Sequence, residues 1–175
     1  MKRFKSIMVV HHQPKVVWAT VRDHLEELVP FMDNVASITN RSRDESKTGV
    51  VRLVNHWHAK ARIPSALASV IRPELLSWID YAEWRESSSE CAWRIEPRFQ
   101  VDRVRCKGVA RYENAMGGRG TRVTFEGTLE LLAGGSLLGG TIAGALETFI
   151  VALLPHNTQS LYRAVGTFLD RRGRA

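Results

Sequence analysis

The chain of 175 residues lacks most of the signals that announce a particular chemistry. Its two cysteines, Cys91 and Cys106, are too few for a disulfide framework and do not form a CxxC pair. There is no HExxH and no carboxylate at ligand spacing, so a zinc site would lack its third and fourth ligands. No GxSxG elbow is present, and neither cysteine has an evident histidine partner, which argues against nucleophilic catalysis. Gly117-Gly-Arg-Gly120 falls between two strands rather than before a helix, where a phosphate loop would lie. Behind Lys2, Arg3 and Lys5 only Ile7-Met8-Val9-Val10 is apolar, too short for the core of a signal peptide. No repeat, linker or low-complexity tract interrupts the chain. These absences lead to one domain over 1–175, cytoplasmic by default, with no metal and no cofactor expected.

What is present begins with charge. The formal net charge is +7, with a pI near 9.9. Arg94, Arg103, Arg105, Lys107, Arg111 and Arg122 fall on one side of the strands read below, and Arg171 and Arg172 end the last helix. Readers of single-stranded nucleic acid place aromatics between such charges. Here the tryptophans and Phe125 fall on the opposite side, so no nucleic-acid partner is expected. A solvated basic face, weakly drawn to anionic membrane, fits better.

In chain order, Phe4–His12 is strand-like and Gln13-Pro14 opens a helix, since proline is tolerated in the first turn. Val17, Val21, Leu25 and Leu28 keep helical spacing until Pro30 halts them. Residues 35–43 form a weaker strand, 43–49 a polar turn and 50–60 a strand. In that strand Val51, Leu53, Asn55 and Trp57 oppose Arg52, Val54, His56 and His58. His56 and His58 share a face, but even with His11-His12 on a nearby strand they fall short of a metal site. Ser65–Ile71 reads as a short helix, and residues 64–71 as a lid. Strands follow at 77–86, 91–96, 103–113 and 121–132, joined by hairpin turns.

Thr141–Arg172 carries an apolar stripe over roughly thirty residues, about 45 Å of helix. Leu137–Leu154 is nearly free of charge and holds Gly140-x-x-x-Gly144. Its glycines, Glu147 and periodic pattern mark a helix buried against a sheet rather than a membrane span. The order predicts an α+β fold: a curved antiparallel sheet of six to seven strands, two short N-terminal helices, a short inserted helix and the long terminal one. Trp57, Trp93, Val104, Phe125 and Leu129 share the buried face with Gly108, Ala110 and Gly127. Small residues there either let the helix dock closely or leave a void. Asn55, Asp80, Cys91, Cys106 and Tyr112 are the polar members of that face. Trp84 joins them if Trp78, Ala82 and Trp84 share a register, and leaves if Ile79 and Tyr81 point inward instead. Asp80 is a weak candidate acid or base, as is Tyr112, and Asp80 could equally pair with Arg94 or Arg105.

Four segments carry a resemblance to a known family: His12-Gln13-Pro14-x-x-Val17-Trp18, Pro73-x-x-x-x-Trp78, Trp93-Arg94-Ile95 and Thr121-Arg122-Val123-Thr124-Phe125-x-Gly127. With the order of elements, they make nearly the whole chain resemble the START-related superfamily (SRPBCC, the helix-grip fold). The resemblance implies a cavity between sheet and C-terminal helix that takes a lipid, quinone, polyketide or other hydrophobic small molecule. It also implies, as an alternative, a polyketide cyclase/dehydratase. Trp57, Trp84, Trp93, Phe125 and Leu129 would then line the wall, with Val104 beside them. Phe149 and Leu153 would close it from the helix, and Asn55 and Tyr112 would orient the ligand's polar end. A third reading is a non-binding interaction module, such as a homodimer presenting its helix. Pro155 departs from the family's unbroken helix, and its missing N–H predicts a kink.

Overall fold

The computed structural model describes residues 1–60, 76–98, 104–131 and 140–173, with backbone alone at 131, 140–147, 149 and 150. The strands are β1 (Lys2–Val10), β2 (Val35–Lys47), β3 (Val50–Ala59), β4 (Ser77–Arg85), β5 (Glu90–Pro97), β6 (Val104–Ala115) and β7 (Gly120–Leu131). They form one antiparallel sheet in the order β1-β7-β6-β5-β4-β3-β2. The meander from β2 to β7 is what hairpin-forming turns produce, and β1 adds to its far edge. Helix α1 (Pro14–Asp23) and a 3-10 turn (Leu25–Phe31) carry the chain from one edge of the sheet to the other. The last element is α2 (Gly140–Arg172). No helix among the described residues is long and apolar enough to cross a membrane.

The alternation read from sequence places the core on one face. In β1, Phe4, Ser6 and Val10 are buried while Lys5, Ile7 and Val9 are exposed. In β3, Leu53, Asn55 and Trp57 are buried. Strand β4 settles the open register: Ala82 and Trp84 are buried, and Tyr81 lies on the outer face under the Arg94 guanidinium, 4.0 Å from its ring centre. Helix α2 supplies Leu154, Tyr162, Ala164, Val165 and Phe168 to the same core.

Several expectations change. The helix expected to reach Leu28 ends at Asp23, because His24 leaves helical dihedrals (φ −122°). The chain then tightens into the 3-10 turn, which accommodates Pro30 and its missing N–H. The polar turn expected over 43–49 is mostly strand. Lys47 pairs with Val50, and Gly49 alone takes a positive φ of 71°. Polarity there marks a two-sided wet hairpin, with Asp44 and Arg52 paired across it at 3.6 Å, rather than a loop. His11 and His12 follow β1, at the other side of the sheet from β3, and His12 binds Asp170 at 2.8 Å instead of approaching His56. Helix α2 is continuous in secondary structure through Pro155. The inserted helix and lid lie outside the described residues.

Gly108 and Gly127 neither admit the helix nor leave a void. They sit directly opposite each other in β6 and β7, and the Trp93 indole lies against both. A Cβ on Gly127 would stand 2.6 Å from both the Lys107 carbonyl and the indole. Phe125 stacks on Trp93 (centroids 4.6 Å apart, 8° between planes), and Phe4 stacks at 5.9 Å. Gly108→Ala should therefore destabilise the protein by about 1–3 kcal/mol through overpacking. Urea denaturation measures it, and an unchanged midpoint would mean that Trp93 does not rest on the glycine pair.

Candidate functional site

Between the sheet and α2 lies a cavity of about 100 Å³. The sheet contributes Asn55, Trp57, Trp84, Trp93, Tyr112 and Phe125 to its wall. From α2 come Leu154, Asn157, Thr158, Leu161 and Tyr162, and α1 and the 3-10 turn add Val21 and Leu25. A cleft of about 920 Å³ on the outer face of the sheet is larger, but its rim is charged and largely ion-paired, with Arg85 on Glu83 (2.7 Å) and Lys5 on Glu126 (4.0 Å). The inner space, mostly apolar with a few polar groups, has the composition of a small-molecule site.

Six of the residues expected to bind ligand thus meet at the cavity. Val104 and Leu129 point inward but are buried in the core away from it. Leu153 is half-buried on α2, and its neighbour Leu154 takes the lining position. The side chain of Phe149 lies outside the described residues. Sequence reasoning passed over Asn157, Thr158 and Tyr162. They continue the stripe of Leu154, Leu161 and Val165 at helical spacing, and polar residues inside an apolar stripe were the signal.

Besides Asn157 and Thr158 of α2, two hydrogen-bonded polar groups line this site. In β2, β3 and β4, Asn40, Asn55 and Asp80 stand directly opposite one another. Asn40 donates to Asn55 Oδ1 at 2.9 Å, and Asn55 donates to Asp80 Oδ2 at 3.3 Å. Asp80 is half-buried, and the loss of hydration on the inner face pushes its carboxyl up to about 6. The Asn55 donation offsets only part of this, as does a weaker pull from the Trp57 indole, which makes no hydrogen bond of ordinary geometry. The arginines considered as its partners are elsewhere: Arg94 binds Glu96 on the outer face, and Arg105 is exposed. The second polar group is the buried pair Tyr112–Tyr162, hydroxyl to hydroxyl at 2.5 Å. Burial raises both phenols, so both stay protonated at neutral pH. Burial likewise pushes the Cys91 thiol well up and Cys106 to about 12, which keeps both un-ionised and poor nucleophiles.

Among the described residues no group of three or more His, Cys, Asp or Glu is placed to hold a metal ion. The His56 and His58 rings lie 4.4 Å apart on the outer face. The basic face is interleaved with carboxylates: Arg111 bridges Glu90 and Glu126, and Arg52 meets Glu83.

A seven-stranded antiparallel sheet packed on a C-terminal helix is the helix-grip fold. Solved structures share it over almost the whole chain. The protein TTHA0849 of Thermus thermophilus matches with a TM-score of 0.68 at 20% identity, over 95% of each chain. The Zhui aromatase/cyclase of Streptomyces sp. R1128 matches with a TM-score of 0.66 at 15% identity, over 99% of this chain and 96% of that one. Ara h 8.0201 matches with a TM-score of 0.52 at 14% identity, over 95% and 96%. At such identities the likeness is one of fold. No protein-family model matches the sequence, and no curated protein matches it.

Asp80 sets a pH signature. Its folded value of about 6 lies above the ordinary 3.8, so the native state holds an extra proton between the two and its stability falls as pH rises through that window. The contribution is about 3 kcal/mol at most. Glu83 and Glu126, lowered by hydrogen bonds from Arg52 and Arg111, act in the opposite sense, so the test is a difference. Relative to the parent, Asp80→Asn should gain about 1–3 kcal/mol at about pH 8 and nothing near pH 4. Denaturation at both pH values measures this, and a variant less stable at the higher pH would contradict it.

Proposed function

We propose that this protein binds a hydrophobic small molecule with one polar end in the cavity between the sheet and α2. The observation that carries the reading is the inner aromatic wall of Trp57, Trp84, Trp93 and Phe125, with a few polar groups beside it: Asn55–Asp80, Tyr112–Tyr162, Asn157 and Thr158. Such a wall supplies apolar burial, and sparse polar groups fix orientation. The volume supports a small ligand. Drug-sized molecules occupy roughly 300–1,000 Å³, so a lipid, quinone or polyketide would have to displace α2 or the indoles to enter. The fold shared with an aromatase/cyclase supports the same kind of cavity use.

A second reading has one observation in its favour. Asp80 titrates close to neutrality beside a carbon-lined space, which suits a general acid or base of the cyclase/dehydratase kind, with Tyr112 as a hydrogen-bond donor. An Asp80→Asn variant that keeps ligand affinity and loses turnover would favour it.

Native mass spectrometry of freshly purified protein should reveal a co-purifying apolar molecule. Apolar ring compounds should quench the tryptophan fluorescence saturably. Filling the space with Ala110→Leu should weaken that quenching by about tenfold, since the added side chain occupies the ligand's volume. Quenching that is linear and indifferent to Ala110→Leu would refute the reading.

A further inference from the structure

We propose that the cavity's ligand is a compact organic cation, a protonated amine on a small apolar body, with its ammonium group at Asp80 and its body against the tryptophan rings. This rests on the reading that the cavity binds a hydrophobic molecule, and specifies that molecule's polar end.

The first support is a mismatch between the molecule and its interior. The chain carries a formal net charge of +7, yet the described residues lining the cavity include one carboxyl and no lysine, arginine or histidine. Elsewhere the sheet pairs its carboxylates with arginine across strands: Glu83 with Arg52, Glu90 and Glu126 with Arg111. Asp80 stands in the same sheet with neutral partners. Asn40 occupies the oxygen of Asn55, which turns the Asn55 amide nitrogen toward Asp80. The ladder therefore orients the carboxylate without cancelling its charge. A proton can cancel it, or a cation supplied from outside, and an enclosed carboxylate gains most from a charged donor.

The second support is the wall. Trp57 and Trp78 stack at 5.5 Å, and Trp84 lies 5.9 Å from Tyr112. The indole N–H groups of Trp84 and Trp93 are buried, so these two residues meet the space with ring carbon, and the Trp57 N–H is the one indole donor that pulls on Asp80. Ring faces attract ammonium groups. The volume of about 100 Å³ is below the roughly 150 Å³ of a cavity that takes benzene, so the apolar body is confined to a ring smaller than benzene.

The matched probes are cyclopentylamine, charged at neutral pH, and cyclopentanol, its neutral counterpart. Binding is followed by the indole N–H signals in heteronuclear NMR spectra. The amine should bind the parent about tenfold more tightly than the alcohol, and Asp80→Asn should abolish that preference while sparing the alcohol. Equal binding of the two probes, or a preference that survives Asp80→Asn, overturns the cation assignment and leaves hydrophobic binding standing. Failure of both probes to move any indole signal overturns both. Should Asp80→Asn not fold, the ratio of the two affinities in the parent decides alone.

Discussion

The contact on which the interior depends is that of the Trp93 indole with the Gly108–Gly127 pair. A side chain at either position would lift the ring off the sheet, and the Phe4–Trp93–Phe125 stack would rise with it. Because the glycines let the largest residue of β5 sink against the backbones of β6 and β7, the inner face gains aromatic surface without losing depth. Apolar burial of this kind is the main stabilising contribution in a domain of this size, and the ring stacking adds a smaller, geometry-dependent share.

Asp80 cuts against that stabilisation. An inner-face carboxyl that shares a cavity with four indoles and accepts from the Asn55 amide costs stability when it is ionised, a cost that an apolar side chain does not carry. The Asn40–Asn55–Asp80 ladder holds the group in position rather than neutralising its charge. A group kept at a net cost, oriented, and placed against a void is how binding sites differ from cores. The same contrast separates the two sheet faces: one is a lattice of arginine–carboxylate pairs in water, and the other, among the described cavity-lining residues, carries one carboxyl beside aromatic rings.

Much of this was readable from residue order. Period-two alternation in β3, β6 and β7 placed the buried face correctly, because one-sided burial leaves a signature at every second residue. The β4–β5 and β6–β7 pairs followed from their hairpin turns, and α2 from its stripe, whereas the place of β1 beside β7 was not read. Other features were hidden for physical reasons. Arg43–Lys47 looks like a turn because both faces of that hairpin are wet, so composition carries no periodic signal. The role of Gly108 and Gly127 depends on a cross-strand register that a single chain does not print. Leu154 rather than Leu153 faces the cavity because a helix turns by about 100° per residue, and both leucines fit the apolar stripe. Asn157, Thr158 and Tyr162 were legible at helical spacing, but a search confined to apolar residues steps over them.

The central claim is that an apolar guest lodges between the tryptophan wall and α2. Intermolecular NOEs between a bound one-ring probe and the protein test it directly. The account predicts cross-peaks from the probe to ring protons of Trp57, Trp84 and Trp93 and to the methyl groups of Leu154 and Leu161. Cross-peaks confined to exposed residues such as Ile7 and Val9 on β1 would contradict it.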